Sequence, residues 1–457
     1  MHESRYNGHI GIMAFSIPKH IHFIGIGGIG MSALARFYHA RGAAISGSDI
    51  APSDITRDLL EIGAVITTGD HRAAHIPSDT DLVIATAAAV RDNPELTEAR
   101  RRKIPVKSYA ATLGPITRHF RTVTVSGAHG KSTTTALIAL ILEAGYCDPT
   151  VIIGTKLTEF GGSNFRRGRS QWLVLEADEY NRSFLRYTSH IAVVTNIDAE
   201  HLDTYKNVEA VERAFEKFLG RVRPDGRIVA NRDDERVRRV AGRFRDKVVW
   251  YSLGDPDVDR VRRTLAIPGA HNVSNALAAR RVGQLLGVPE AQILYTLARF
   301  RGAWRRFEFM GIAGGAFVIS DYAHHPAEIR ATIDAARERF PLRRIWCVFQ
   351  PHQGERLRLL WNEFLTAFDC ADTIVLLPVY EVAGREKKRN PGKGRMTSEN
   401  LVRELVDRGK NAHYQESFAG AKEFITENTR KGDVLLIAGA GTIHGLAEDL
   451  VASSPEI

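Results

Sequence analysis

The residues best equipped for chemistry lie between positions 126 and 201. The run Ser126-Gly127-Ala128-His129-Gly130-Lys131-Ser132-Thr133-Thr134 follows the strand-like TVTV and precedes an apolar-periodic segment. It departs from the G-x-x-x-x-G-K-[ST] phosphate loop at one place, where Val125 stands for the first glycine. The chemistry survives that departure. Backbone N–H groups of Gly127, His129 and Gly130 can cradle phosphate oxygens, Lys131 supplies a point charge at the β- and γ-phosphates, and the Ser132 hydroxyl can ligate Mg²⁺, with Thr133 beside it. The plainer alternative is that GKS merely caps a helix. Further along, Glu176-Ala177-Asp178-Glu179 closes an apolar run, and Asn196 and His201 follow the next one. Carboxylates at strand ends beside a phosphate loop suit a hard divalent cation, which prefers oxygen ligands. His201, read alone, is a hydrogen-bonded histidine sooner than a Mg²⁺ ligand.

A second glycine loop stands near the start of the chain. Gly25-Ile26-Gly27-Gly28-Ile29-Gly30 satisfies G-x-G-x-x-G between a strand-like and a helix-like segment, so its backbone can approach a diphosphate closely at a helix N-terminus. Asp49 follows about twenty residues later, where a ribose-binding acid belongs. The loop alone leaves three readings open: NAD, another nucleoside diphosphate, or a tight turn. An NAD-dependent dehydrogenase would account for this loop but leaves the second loop and Glu176-Ala177-Asp178-Glu179 unexplained.

These loops need sheets to hold them. Strand character is expected at His20 to Ile26, Ala43 to Ser46, Ala64 to Thr67 and Leu82 to Ala85, with a helix at Met31 to His39. A second unit opens at Thr122 to Val125, with a helix at Lys131 to Ala144 and strands at Trp172 to Leu175 and Ile191 to Thr195. A third has strands at Phe317 to Ser320, Arg344 to Phe349, Thr373 to Leu377 and Asp433 to Ala438, with helices at Ala327 to Arg339 and Leu357 to Phe368. The strands are apolar on consecutive positions, as parallel strands covered on both faces should be. Three α/β domains are expected after a tail at 1–17: residues 18–112, 113–303 and 304–457.

The composition agrees. The chain has 457 residues, 44% of them hydrophobic and 25% charged, enough for several ordinary cores. The net charge of +9 is spread along the chain and interleaved with acids, which argues for small anionic ligands and against nucleic acid. Arg166-Arg167 and Lys387-Lys388-Arg389 read as solvated loops. The three cysteines, Cys147, Cys347 and Cys370, are too few for a disulfide framework and too scattered for a zinc knuckle, so buried free thiols are expected. Without a run of ~18 apolar residues or a secretory pattern at the start, no membrane insertion and a cytoplasmic location are expected. Met13 is an alternative start.

Taken together, the segments resemble the Mur ligase family, the cytoplasmic enzymes of bacterial peptidoglycan precursor assembly. GAHGKSTTT is similar to the family's ATP loop, which usually carries Thr where this chain has Ala128 and Ser132. EADEYNRSF and VVTNIDAEHLDTY resemble its two metal-site segments, and PGAHNVSNALAA its adenine-binding stretch. RRFE at Arg305 to Glu308 and DYAHHPAE at Asp321 to Glu328 resemble the entry to its C-terminal domain. GIGGIGMSALA, NPEL at Asn93 to Leu96 and FQPH at Phe349 to His352 are most similar to members that attach L-alanine to UDP-N-acetylmuramate, while EADEY is shared with members that attach a recycled tripeptide. Two departures bear on the acceptor: Gln353 stands where Arg usually follows FQPH, with Arg356 the next basic residue, and Val379 to Arg395 is worded differently.

The resemblance implies a Rossmann-like UDP-binding domain, a central ATPase domain with a mostly parallel sheet, and a C-terminal Rossmann-like domain. It implies ATP and Mg²⁺, UDP-N-acetylmuramate and L-alanine as substrates, and an acyl-phosphate intermediate. Lys131, Glu176 and His201 become the catalytic set, with Ser132, Glu176 and His201 on metal. Asn272 and Asn275 fall near adenine, Asp321 at the ribose and Arg306 at phosphate. Gly25, Gly27, Gly28 and Gly30 hold the UDP diphosphate, with Asp49 and His71 near uridine. Tyr322, His324, His352 and Arg356 form the amino-acid pocket, where a cation must meet the acceptor carboxylate. Lys217 aligns roughly with a lysine that some relatives carbamylate as a metal bridge; a plain surface lysine is the alternative.

Overall fold

The computed structural model describes residues 16–198, 204–381 and 396–453. Most of the expected tail and most of the divergent stretch Val379 to Arg395, including Lys387-Lys388-Arg389, lie outside those residues. Three sheets carry the fold. The first contains β1 (His20–Ile24), β2 (Ala44–Asp49), β3 (Val65–Thr68), β4 (Leu82–Ala85) and β5 (Val106–Ser108), all parallel, in the order β3-β2-β1-β4-β5. The second contains β6 (Arg121–Ser126), β7 (Thr150–Leu157), β8 (Ser163–Arg166), β9 (Trp172–Glu176), β10 (Ser189–Val194), β11 (Val222–Asn231) and β12 (Val248–Tyr251), in the order β12-β11-β10-β6-β9-β7-β8. Only β7 and β8 run antiparallel there. The third contains β13 (Glu308–Ala313), β14 (Ala316–Asp321), β15 (Ile345–Phe349), β16 (Thr373–Leu376), β17 (Ala412–Tyr414) and β18 (Val434–Ala438), in the order β13-β14-β18-β15-β16-β17. Its one antiparallel pair is β13 with β14.

Burial explains the wording of the strands. The central strands β4 (LVIA), β15 (IWCVF) and β18 (VLLIA) are buried at every position, because helices cover both faces of a parallel sheet. The edge strand β5 (VKS) is exposed throughout and can carry a lysine. In the first sheet β1 is flanked by β2 and β4, and in the second β6 is flanked by β10 and β9. The chain reverses its direction of travel across the sheet at both places. Each reversal opens a crevice at the C-terminal strand ends, and both glycine loops begin there.

The chain divides into two compact units, residues 1–252 with 278–293, and residues 253–277 with 294–457. The first holds the first two sheets. Within it, the helix Ile29–His39 rests on β7 and β8, where the Asn164 amide donates to the Ile29 carbonyl at 2.6 Å and to Ser32 Oγ at 2.8 Å. Lys156 meets Asp58 at 3.0 Å across the same seam. No helix among the described residues is long and apolar enough to cross a membrane.

Three expectations are corrected. Leu357 to Phe368 is two helices, Gly354–Leu359 and Trp361–Ala367, because Leu360 leaves helical geometry and the Trp361 indole donates to Glu404 at 2.8 Å. Only Cys347 is a buried thiol; Cys147 is half-buried and Cys370 exposed. Arg166 is the last residue of β8 rather than a solvated loop, and pairs with Glu143 and Asp148, each at 2.8 Å.

Candidate active site

The phosphate loop joins β6 to the helix Lys131–Ala144. Gly127 has φ +143°, and a Cβ there would collide with Thr195 Oγ1, so neither the backbone angle nor the space admits a side chain. Gly130, at φ +80°, turns the chain into the helix and leaves the first N–H groups facing outward, which is the arrangement that binds anions. Asn196, just past β10, braces the loop: its Oδ1 accepts from the His129 N–H at 2.8 Å and its Nδ2 donates to the His129 carbonyl at 2.9 Å. Thr195 Oγ1 donates to the same carbonyl at 2.7 Å. The His129 ring lies 3.7 Å from Asp198.

Lys131 is held across the loop. Its ammonium donates to the carbonyls of Gly127 at 2.7 Å and Ala128 at 3.2 Å, and to both carboxylate oxygens of Glu179 at 3.2 Å. Asp178 stands 3.9 Å away. Glu179 is buried, and burial drives its carboxyl above the usual carboxylate range even though Lys131 pulls it down. For Lys131, burial opposes the charge, but Glu179, Asp178 and Glu176 outweigh it and hold the lysine protonated. Sequence reading counted Glu179 among the strand-end carboxylates suited to a cation and singled out Glu176 for the metal; it did not foresee that Glu179 pairs with Lys131. Asn181 and Arg182, both left-handed at φ 53° and 57°, lie in the turn that follows Glu179.

Glu176, at the end of β9, accepts from Ser132 Oγ at 3.0 Å through one oxygen and from the Gly154 N–H at 2.9 Å through the other. A hydroxyl and a carboxylate thus converge at the mouth of the loop, the oxygen donor set that Mg²⁺ takes. His201 lies outside the described residues. Lys217 is exposed in the last turn of the helix Val208–Leu219, as a surface lysine would be. Thr133 is buried under the loop.

At the first glycine loop, the N–H groups of Gly25 and Ile26 both donate to the Ser48 carbonyl, at 2.8 and 3.1 Å. Asp49 accepts from the Gly27 N–H at 2.8 Å, so this carboxylate shapes the loop as well as facing its mouth. Gly28 is the N-cap of the helix Ile29–His39, and Gly30 is in its first turn. His71 Nδ1 sits 3.1 Å from Ser48 Oγ and 3.0 Å from Glu95 Oε1. Glu95, fully buried, also meets His22, Ser48 and His75, at 3.0, 2.7 and 3.0 Å. Burial alone would raise this carboxyl, yet the hydrogen bonds from His22, Ser48 and His71 outweigh it and hold it at about 2. The sequence offered NPEL as a motif but gave no sign that Glu95 collects groups from across the sheet.

In the second unit, the expected amino-acid residues gather at the C-terminal ends of β14 and β15. Tyr322 and His324 meet edge to face at 5.4 Å, and His324 and His352 at 5.7 Å. Arg356 Nη1 lies 3.3 Å from His352 Nδ1, and Tyr380 stacks on His352. Gln353 takes φ 67° at the start of the helix Gly354–Leu359. Asp321 is buried and accepts from the Phe307 and Ala323 N–H groups, each at 2.7 Å, while burial raises its carboxyl against the pull of Arg306. Arg306 lies over the Tyr322 ring at 5.1 Å. Arg305 donates to the carbonyls of Gly439 and Gly441, at 2.5 and 3.0 Å. Asn272 and Asn275 are buried, and the Asn272 amide donates to the Pro268 carbonyl at 2.7 Å.

Comparison with known proteins decides the family. Residues 20–121 match the Mur ligase family catalytic domain, 125–283 the Mur ligase middle domain, and 305–441 the Mur ligase glutamate ligase domain. This chain belongs to the Mur ligase family. The Mur ligase is 39% identical to a UDP-N-acetylmuramate–L-alanine ligase of Alkaliphilus metalliredigens, over 95% of this chain and 97% of that one. It is 38% identical to a protein of the same name from Caldanaerobacter subterraneus, over 94% and 96%. Among solved structures, the UDP-N-acetylmuramate-alanine ligase of Thermotoga maritima superposes with a TM-score of 0.79 at 29% identity, covering 94% of this Mur ligase and 98% of its own chain. A murein peptide ligase from Psychrobacter arcticus shares the fold, with a TM-score of 0.68 at 21% identity over 96% and 99%. As a Mur ligase the chain is an ATP-dependent ligase, and a dehydrogenase reading of the first loop falls away.

Proposed function

We propose that this Mur ligase joins L-alanine to UDP-N-acetylmuramate in the cytoplasm, spending one ATP and releasing ADP and phosphate. The observation that carries the reading is the convergence of Lys131, Ser132, Glu176 and Glu179 on one phosphate loop at the ends of β6 and β9. The acceptor and the sugar nucleotide are taken from the names of the relatives above, which align along nearly the whole chain.

A carboxylate is a poor electrophile until one of its oxygens becomes part of a good leaving group. In the first step a carboxylate oxygen of the muramate attacks the γ-phosphorus, the bond to the β–γ bridging oxygen breaks, and ADP leaves. In the second the alanine amine attacks the acyl carbon, the C–O bond to phosphate breaks, and the amine gives up a proton. Both steps gather negative charge, so cationic clamping is the main catalytic demand. Lys131 meets it from a fixed position, because the loop carbonyls and Glu179 leave it little rotamer freedom to lose. Ser132 and Glu176 would hold Mg²⁺, which when bound supplies further charge neutralisation between phosphate and carboxylate. Glu179 keeps the lysine charged, and Asn196 fixes the loop by accepting from the His129 N–H and donating to the His129 carbonyl. The Gly25–Gly30 loop would receive the UDP diphosphate, and Tyr322, His324, His352 and Arg356 the amino acid.

The test is ATP-dependent phosphate release from UDP-N-acetylmuramate offered L-alanine, L-serine, glycine or the tripeptide L-alanyl-γ-D-glutamyl-meso-diaminopimelate. Preference for L-alanine by at least tenfold in kcat/KM is expected. Preference for the tripeptide would move the chain to the recycling branch of the family.

A further inference from the structure

The proposed chemistry leaves unused a cavity of about 430 Å³ in the first unit, at the opposite end of the helix Ile29–His39 from the glycine loop. Small-molecule clefts span roughly 300–1,000 Å³, so the size suits a ligand. Arg41, Arg167, Arg169 and His119 supply its polar wall and Phe120 its aromatic one, with Phe37 buried beneath Arg41. Among the described residues that line it, none is acidic.

The arginines have a plainer use, and it does not account for them all. Arg41 donates to the Phe37 carbonyl at 3.3 Å and Arg167 to the Ala40 carbonyl at 2.6 Å, so both complement a helix C-terminus. One cation would suffice there, and a guanidinium carries five N–H donors, of which each of these spends one on the protein. Their charges also oppose each other: burial first, and Arg167 second, lower the Arg41 pKa to about 10. Arg166 next door shows the contrast, since Glu143 and Asp148 answer its charge. Asp148 also draws on the charge of Arg169, which leaves Arg41 and Arg167 as the pair least answered by the protein. Arg41 lies 3.7 Å above the ring of the fully buried Phe37, which seats the guanidinium, and 5.6 Å from the ring of the half-buried Phe120, so a charged edge and one accessible aromatic side chain share the concavity.

We propose that this cavity binds a small organic phosphate: a phosphoryl group taken by the Arg41 and Arg167 guanidiniums, with an apolar or planar body against Phe120. Guanidinium pairs suit phosphate because the planar fork matches two oxygens at once. The aromatic wall distinguishes an organic phosphate from the free ion.

Phenyl phosphate is the probe. It is titrated calorimetrically into the full chain with a non-hydrolysable ATP analogue, UDP-N-acetylmuramate and L-alanine already saturating, so that substrate sites are filled, and inorganic phosphate and phenol are titrated alongside. Saturable binding of phenyl phosphate is expected, at least tenfold tighter than inorganic phosphate, with none for phenol. R167E/R169E should weaken it by tenfold or more while leaving basal phosphate release unchanged; the urea midpoint should fall only slightly, by what the lost bond to the Ala40 carbonyl contributes. Both side chains are exposed; if the charge reversal disturbs folding, Arg167→Gln with Arg169→Gln gives the same comparison. Loss of phenyl phosphate binding when substrates are saturating, full affinity in a folded R167E/R169E or double-Gln variant, or equal binding of phenol would each overturn the assignment. Equal affinity for inorganic phosphate would overturn the organic-body part of it.

Discussion

Replacing Lys131 by Ala should damage this enzyme in two separable ways. The first is catalytic: the loop loses the cation that meets charge developing on the γ-phosphoryl group, and removal of one such preorganised donor costs about 10²–10³ in kcat. The second is structural and follows from Glu179, whose side chain is 2% exposed and bonded through both oxygens to the ammonium. Without Lys131 a buried carboxylate has lost its counter-charge, a loss worth about 3–5 kcal/mol when the carboxylate stays ionised. Glu179 can escape by taking a proton. Burial already sets its folded pKa above the unfolded value, and loss of Lys131 raises it further. The folded state then binds more protons than the unfolded chain, so stability falls as pH rises above about 4.5 and through the folded pKa. Urea unfolding of Lys131→Ala should therefore show a larger deficit at pH 8 than at pH 6. Adding Glu179→Gln should recover most of the stability at pH 8 and none of the turnover. An equal deficit at both pH values, or a double variant that regains phosphate release, would refute the reasoning.

Two further expectations follow from the same geometry. Glu176→Gln keeps an acceptor for the Gly154 N–H and turns an amide N–H toward the Ser132 hydroxyl, which can accept, but removes the charge, so the Mg²⁺ concentration for half-maximal phosphate release should rise about tenfold or more; an unchanged Mg²⁺ titration would remove Glu176 from the metal. Glu95, held at about 2 against an ordinary 4.5, contributes about 3 kcal/mol of stability that is present above pH 4.5 and lost as pH falls toward 2. Glu95→Gln should flatten that acid limb in urea titrations, and a limb of wild-type steepness would show that another carboxylate causes it.

Much of this arrangement was legible in the residues because it is local. A strand buried on both faces writes itself as a continuous apolar run, and Leu82 to Ala85 was read with the bounds the structure gives. The helix Lys131–Ala144 was bounded by Gly130 before it and Gly145 after it. What escaped was non-local. Nothing near Glu179 announces that it meets Lys131, or that two left-handed residues follow it in the turn. Glu95 draws His22 from β1, Ser48 from β2, and His71 and His75 from the segment after β3, which only the assembled sheet brings within 3 Å or so. The strands β7, β8 and β13 escaped for another reason: they form hairpins, β7 with β8 and β13 with the expected strand β14, that run antiparallel at the edges of their sheets, outside the strand-helix-strand rhythm from which the domains were read.

Isotope transfer tests the central chemical claim most directly. UDP-N-acetylmuramate carrying ¹⁸O in both carboxylate oxygens is turned over with ATP and L-alanine, and the released phosphate is weighed by mass spectrometry. An acyl phosphate formed at the Lys131 loop must deliver one ¹⁸O to each phosphate, since the carboxylate oxygen that attacks the γ-phosphorus leaves with it. Phosphate without label, released at the rate of product formation, would mean that the carboxylate is never phosphorylated.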